Sequence, residues 1–335
     1  MSIRVAINGF GRIGRGFTRA AHGKENIEIV AINDLAPAAN LAYLLKYDSV
    51  YGRAPFSVEA AESAIIIDGK KVPVLAEKEP AKLPWRDLKV DIVVESTGLF
   101  TTADKARGHI DAGAKRVVIS APGKGEGVET VLLGVNEEKL ATCDISSNAS
   151  CTTNAVGPVM GILDEAIGIE RAILNTIHAY TASQAIVDGV APDDFRRGRA
   201  GALNMGPSST GAAKATALVY PQFKGKFDGI AVRVPVASGS LADVTFVARR
   251  ATSVEEVNEA LRAAAKTDRW KRVFSVTEEP LVSSDILGLP YGSIADLGMT
   301  RVVDGTLVKV LAWYDNEMGY AHTLVGHVLK VAEQL

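Results

Sequence analysis

Ile3-Arg4-Val5-Ala6-Ile7-Asn8-Gly9-Phe10-Gly11-Arg12-Ile13-Gly14 decides the fold of the first half of this chain. A short apolar strand over Ile3–Ile7 runs straight into G-x-G-x-x-G, and a helical pattern follows from Arg12 to about Ala21. A second apolar strand over Glu28–Ile32 ends in Asn33-Asp34, and Asp34 lies 20 residues beyond Gly14. The physics needs each part. Gly9, Gly11 and Gly14 allow a tight turn and a close backbone approach to a pyrophosphate, whose charge then rests on the helix N-terminus. An acid at the end of the second strand suits the hydroxyls of an adenosine ribose. Glycine-rich turns alone are common. Strand, motif, helix, strand and acid in that order point to a dinucleotide-binding unit.

Further along, Val90–Gly98 is an apolar run ending in small residues, Leu99–Ala114 reads as helix, and Arg116–Ser120 reads as another strand. Alternating strands and helices imply a mostly parallel sheet covered on both faces. Ligands bind at the carboxyl ends of such strands, so Thr97-Gly98 and Ser120-Ala121-Pro122 would line that edge, although the same residues suit ordinary turns. The second half has another texture. Long strands over Arg171–His178, Gly229–Val236, Leu241–Arg249 and Thr306–Tyr314 suggest a mixed or antiparallel sheet. Ser253-Val254-Glu255-Glu256 is a capping box opening a helix to about Lys266. A long polar segment between His178 and Gly211 holds Arg196, Arg197 and Arg199, which suits a functional or oligomer-contact segment, or a solvated loop. Met318–Leu335 resumes a helical pattern. The expected fold is α/β. A Rossmann-type dinucleotide-binding domain spans 1–150, with a C-terminal helix, 316–335, docking back on it. An α+β catalytic domain with a mixed or antiparallel sheet spans 151–315.

The 335 residues are 47% hydrophobic and 23% charged, with a net charge of −2, an ordinary soluble composition. That balance gives no electrostatic case for binding nucleic acid or a membrane surface. Two cysteines, Cys143 and Cys151, do not make a disulfide framework. Asn8-Gly9 ends the first apolar run too early for a signal peptide, and no stretch has the length of a membrane span. The expectation is a cytoplasmic protein with no metal site.

Ser147-Asn148-Ala149-Ser150-Cys151-Thr152-Thr153-Asn154 carries the chemistry. Val156, Val159, Met160, Leu163 and Ile167 are spaced three or four apart, one apolar face of a helix. Cys151 therefore lies at or just before a helix N-terminus, where unpaired amides and the macrodipole favour an anion such as a thiolate. A lone cysteine is more often buried filler, so the reading needs partners. His178 ends an apolar strand, and an imidazole there is suited to holding Cys151 as a thiolate and moving protons. Pro207-Ser208-Ser209-Thr210-Gly211 and Arg233 offer hydroxyls and a cation suited to phosphate.

Taken together, the chain closely resembles phosphorylating glyceraldehyde-3-phosphate dehydrogenase. The matching segments are Asn8–Arg15, the octapeptide around Cys151, His178-Ala179-Tyr180-Thr181, Ser209–Lys214, Arg233-Val234-Pro235 and Trp313-Tyr314-Asp315-Asn316-Glu317, in the family's order across the whole chain. The resemblance implies that Cys151 attacks the aldehyde carbon of glyceraldehyde 3-phosphate to form a thiohemiacetal. His178 takes the hydroxyl proton as hydride leaves for the nicotinamide, and inorganic phosphate attacks the resulting thioester. It implies that Thr181 and Arg233 bind the substrate phosphate, and that Ser150, Thr210 and Gly211 bind the attacking phosphate with Thr152 close by. Arg12 and Ile13 would meet the pyrophosphate through their amides, Asp34 would hold the adenosine ribose, and Asn316 the nicotinamide carboxamide. Cys151 would face the cofactor across a cleft. The family is usually a homotetramer, with the segment after His178 reaching a neighbouring subunit's cofactor. Erythrose-4-phosphate dehydrogenase, which hydrolyses its acyl-enzyme, is the nearest alternative.

The chain departs from the family in places. Ala155 stands where many members have a second cysteine, and Ala321-His322-Thr323 replaces a frequent Asn-Arg. Asp34 would repel a 2′-phosphate and favours NAD. Gly189-Val190 and Pro122-Gly123-Lys124-Gly125 resemble members that accept both cofactors. NAD is expected first, with NADP as a possible second cofactor.

Overall fold

The computed structural model describes residues 2–192 and 194–335; Met1 and Asp193, the latter within the long polar segment, lie outside it. The chain forms two compact units. The first comprises Met1–Val131, Asn136–Ala149 and Ala321–Leu335, and the second Leu132–Val135 and Ser150–Tyr320.

The first unit is built on a nine-stranded sheet. Its order is Glu129–Thr130, Ile145–Ser147, Arg116–Ile119, Ile92–Glu95, Ile3–Asn8, Ile27–Asn33, Lys70–Leu75, Ala64–Ile67, Val58–Ala61. Pairing is parallel from the first of these to Lys70–Leu75 and antiparallel beyond it. The parallel strands are buried runs, with Val5, Ala6, Ile7, Ile92, Val93 and Val94 wholly shielded, as a sheet covered on both faces requires. Helices α1 (Arg12–Ala21), α2 (Ala38–Lys46) and α3 (Ala103–Asp111) join these strands. One apolar cluster gathers Ala6, Val30, Ala31, Trp85, Val90 and Val93. Strand Ile3–Asn8 lies between Ile27–Asn33 and Ile92–Glu95, so chain order reverses there, which is where an open α/β sheet makes its ligand crevice.

One expectation in this unit needs correction, and one feature of the unit was missed. The helix foreseen over Leu99–Ala114 is shorter, because Gly98 takes φ +75° and Thr102 is the N-cap. The antiparallel ribbon Val58–Leu75 was not foreseen at all. Asp68 and Gly69, at φ 46° and 77°, make its second turn, and Asp-Gly is the strongest short hairpin signal a sequence carries.

The second unit holds a seven-stranded mixed sheet. Its order is Gly206–Ser209, Phe227–Val234, Ile169–Ala179, Ser240–Ala248, Leu307–Tyr314, Ser293–Val303, Phe274–Thr277. Ile169–Ala179 pairs in parallel with Phe227–Val234 and antiparallel with Ser240–Ala248. Helix α4 (Cys151–Ala166) is buried continuously from Thr152 to Leu163. It packs against strands of this sheet, α5 (Ala212–Val219) and α6 (Val254–Ala265). The capping box at α6 is half made. Ser253 Oγ accepts the Glu256 amide at 3.2 Å, while the Glu256 carboxylate turns to Arg250 and Thr252 instead of the cap amide. Helix α7 (Met318–Ala332) starts in this unit and belongs to the first from Ala321 onward. No helix is long and apolar enough to cross a membrane among the described residues.

Candidate active site

Cys151 is the first residue of α4, and Ser150 is its N-cap, accepting the Thr153 amide at 3.1 Å. The preceding residue, Ala149, is buried with φ +54°, a left-handed conformation that disfavours a residue with a Cβ. A short hydroxyl-rich turn therefore delivers the thiol to the first turn of a buried helix.

The Cys151 Sγ lies 3.5 Å from His178 Nε2. His178 is carried near the end of strand Ile169–Ala179, directly opposite Arg233 on the parallel neighbour. Its Nδ1 lies 2.7 Å from the Ala179 carbonyl and 2.9 Å from Arg233 Nη1. Arg233 also donates to that carbonyl at 3.1 Å. With Nδ1–H donating to Ala179, Arg233 Nη1 is a charged neighbour of Nδ1 and not its hydrogen-bond donor, and the Nε2 lone pair faces the thiol, as a base requires. Burial pushes the Cys151 thiol up. The Arg233 guanidinium, then the Thr152 hydroxyl and the Thr152 and Cys151 amides, pull it back. Burial, with Arg233 second, holds His178 down at about 4. In the free chain both directions favour a thiol beside a neutral imidazole, so the standing thiolate expected from helix position alone is opposed by desolvation.

A phenol completes this side. Tyr314 Oη sits 2.9 Å from Thr152 Oγ1 and 2.7 Å from Thr176 Oγ1, and its ring stands edge-on to His178 at 5.9 Å. Burial pushes this phenol up, so it stays protonated and braces both the nucleophile helix and the imidazole strand. Asn316 is pinned by its carbonyl, which accepts from Gly239 N at 3.1 Å and Ser240 Oγ at 2.8 Å. That leaves its NH2 to meet another acceptor.

The phosphate candidates are less concentrated. Thr181 follows the His178 strand and hydrogen-bonds Ser183 at 2.9 Å. Thr210 Oγ1 accepts the Ala212 amide at 3.2 Å, and Gly211 is the N-cap of α5 with open space where a Cβ would point. Among the described residues, no hydrogen bond joins Thr181, Thr210 or Gly211 to Cys151 or His178. Arg233 Nε is buried without a partner, which suits a cation awaiting an anion.

The nucleotide candidates line the carboxyl edge of the first unit's sheet. A Cβ on Gly9 would stand 2.6 Å from the Thr97 amide nitrogen, and one on Gly14 would stand 2.3 Å from the Gly9 carbonyl. Both glycines are therefore compelled by backbone packing. Gly11 instead meets nothing within 4 Å, and no side chain caps α1 among the described residues, so its first-turn amides suit a pyrophosphate. Asp34 is held by two amides, Phe10 N at 2.8 Å and Ala36 N at 2.9 Å. The Arg12 side chain turns away to Asp48 and stacks over Tyr51 at 5.7 Å, so only its amide serves the helix N-terminus. Ser120 follows Arg116–Ile119, its amide bonded to the Glu95 carbonyl at 2.9 Å.

Glu95 went unread in the sequence. It is fully buried, and its carboxylate takes the Thr97 amide at 2.8 Å together with the Thr97 hydroxyl, the Asn8 amide group and His109 Nε2. Trp85 Nε1 donates to His109 Nδ1 at 3.0 Å, which fixes the histidine proton on Nε2, toward Glu95. Tyr314 was quoted only as part of a motif. Beyond the Thr97 contacts of Glu95, both act through residues distant in sequence, which spacing does not reveal. Among the described residues no group of three or more His, Cys, Asp or Glu is arranged to hold a metal.

Comparison with known proteins gives the family. The model of the glyceraldehyde 3-phosphate dehydrogenase NAD-binding domain matches residues 3–103, and that of the C-terminal domain matches residues 150–316. The glyceraldehyde-3-phosphate dehydrogenase of Mycobacterium avium is 50% identical over 343 residues, covering all of both chains. That of Streptomyces coelicolor is 50% identical over 338 residues, again covering both chains fully. The chain therefore belongs to the glyceraldehyde-3-phosphate dehydrogenase family, oxidoreductases that pair a Rossmann-type unit for a nicotinamide dinucleotide with a second, mixed-sheet unit.

Proposed function

We propose that this protein oxidises D-glyceraldehyde 3-phosphate to 1,3-bisphosphoglycerate with inorganic phosphate, using NAD first and NADP as a possible second cofactor. The observation that carries this reading is the 3.5 Å approach of His178 Nε2 to Cys151 Sγ at the start of a helix. As Sγ bonds to the aldehyde carbon, its proton passes to Nε2 and then to the new alkoxide. The amide of Cys151 and the His178 imidazole steady that oxygen. Bound NAD supplies the hydride acceptor, nicotinamide C4. As hydride leaves carbon, His178 takes the hydroxyl proton, and a thioester remains on Cys151. Phosphate attacks the thioester carbon, Sγ departs, and the proton on Nε2 returns to it. Oxidation energy is thereby kept in an acyl phosphate.

Arg233 and Thr181 bind the substrate phosphate in this scheme. Ser150, Thr210 and Gly211, with Thr152 nearby, receive the attacking phosphate. Gly9, Gly11, Arg12, Ile13, Gly14, Asp34, Thr97, Ser120 and Asn316 hold the dinucleotide. Residues 1–150 with the terminal helix form the nucleotide domain, and 151–315 the catalytic one. The preference for NAD rests on Asp34. A carboxylate tied to two backbone amides does not swing aside for a 2′-phosphate. A cytoplasmic homotetramer fits the long segment after His178, which exposes Ile186, Val187, Val190, Phe195, Leu203 and Met205, a surface suited to burial against another copy.

Initial rates with both cofactors at varied phosphate test the assignment. Turnover should need phosphate and favour NAD. Phosphate-independent oxidation would point instead to erythrose-4-phosphate dehydrogenase chemistry, and a strong NADP preference would remove the role given to Asp34. Cys151→Ser should abolish turnover while sparing NAD binding.

A further inference from the structure

We propose that the terminal helix positions the nucleophile. Thr323 and His327 on α7 hold the Asn148 side chain, and through the left-handed turn at Ala149 they set where Cys151 enters α4. The idea rests on Cys151 as the nucleophile; the Cys151→Ser test above addresses that separately.

All the members of this contact lie in the first unit and are buried: Ser146, Asn148, Thr323 and His327 are each 2% exposed or less. His327 Nε2 meets Ser146 Oγ at 2.8 Å, and Nδ1 meets Asn148 Oδ1 at 3.2 Å. Asn148 Nδ2 donates to Thr323 Oγ1 at 3.1 Å. The proton placement follows from chemistry. Asn148 Oδ1 only accepts, so the imidazole proton is on Nδ1, and Nε2 accepts from the serine hydroxyl. Burial keeps this histidine neutral, with its value down at about 3. Both ends of the Asn148 amide are therefore engaged by one helix, one turn apart on it.

The backbone around Asn148 is held as firmly. Its amide donates to the Ile119 carbonyl at 3.0 Å, and the next amide, Ala149 N, donates to Ser147 Oγ at 3.0 Å. Ser147 Oγ in turn donates to the Ala121 carbonyl at 2.6 Å. Ala149 at φ +54° then leads into the N-cap Ser150, and two residues later the thiol opens α4. A non-glycine residue persists in that conformation only where its surroundings over-determine it, and the Asn148 side chain is the tether on its terminal-helix side. Releasing the tether lets the turn relax and moves the first residue of the helix.

The test uses the full chain carrying Cys143→Ser, so that alkylation by iodoacetamide reports Cys151 alone. His327→Leu and Thr323→Val should each slow alkylation and lower kcat by about tenfold or more, since small misplacements of a reacting group carry such costs. The KM for NAD should stay near the parental value. His327→Asn puts a donor at the Nδ1 position and should restore reactivity. His327→Gln puts an amide at the Nε2 position, serves Ser146 only, and should not. Parental alkylation rates in His327→Leu and Thr323→Val would overturn the proposal. So would rescue by Gln and not Asn, or a loss of NAD affinity parallel to the loss of thiol reactivity, which would mark general loosening of the unit.

Discussion

Single residues here are constrained by backbone as often as by side chains. Gly14 is the sharpest case, because a Cβ there would meet the Gly9 carbonyl at 2.3 Å and backbone has nowhere to yield. Gly14→Ala should cost roughly 1–3 kcal/mol of stability by forced displacement. It should also raise the KM for NAD well above any change in kcat, read by urea denaturation and steady-state kinetics. The glycine motif and its acid were legible because their spacing is local. Cys151 and His178 were legible as residue types at element ends, and the resemblance joined them. Glu95, Tyr314 and His327 were not, since each gains its meaning from partners far away in sequence: Asn8 and His109, Thr152 and Thr176, Ser146 and Asn148. The residue scale also sets two effects against each other. Helix position argued for a thiolate, but burial works on both partners at once, raising the thiol and lowering the imidazole.

At the scale of elements, strong periodicity and flanking signals located α1, α4 and α6 and the long strands of the second unit within a few residues. The missed elements were short or lacked alternation. Ala64–Ile67 is Ala followed by three isoleucines, Gly206–Ser209 is a Gly-Pro-Ser-Ser edge, and Ser293–Val303 carries Gly298 in its middle. Such strands are specified by the neighbours they pair with. The α6 cap shows how a local signal is diverted by its surroundings. Ser253 makes its bond, but Glu256 is drawn to Arg250. Ser253→Ala should therefore lose about 1 kcal/mol. Glu256→Gln should cost less than a reciprocal capping box would lead one to expect, because its partners are on the exposed surface. Thermal midpoints of the two variants give the comparison.

For the whole molecule, two buried histidines that burial holds well below their ordinary value, His178 and His327, set an acid limit. His178 and His327 are held at about 4 and about 3, below the ordinary 6.5. The unfolded chain therefore takes up protons that the folded chain refuses. Their stabilising contribution is intact above about 6.5 and is lost as pH falls toward 4, by roughly 1.4 kcal/mol per pH unit for each histidine. Urea midpoints between pH 7 and 4.5 should follow that slope, and His327→Asn should remove about half of it. A flat profile would mean that these imidazoles are protonated in the fold. The division of the chain has a consequence in time. The first unit is assembled from Met1–Val131, Asn136–Ala149 and Ala321–Leu335, so the ribosome must make the entire second unit before the first can be finished. Until then the nascent chain carries Ser146 and Asn148 without the helix that receives them. Maturation of the thiol would thus wait until Ala321–Leu335 has been made, and a chain stalled before that segment would hold Cys151 in an unfinished, unreactive setting.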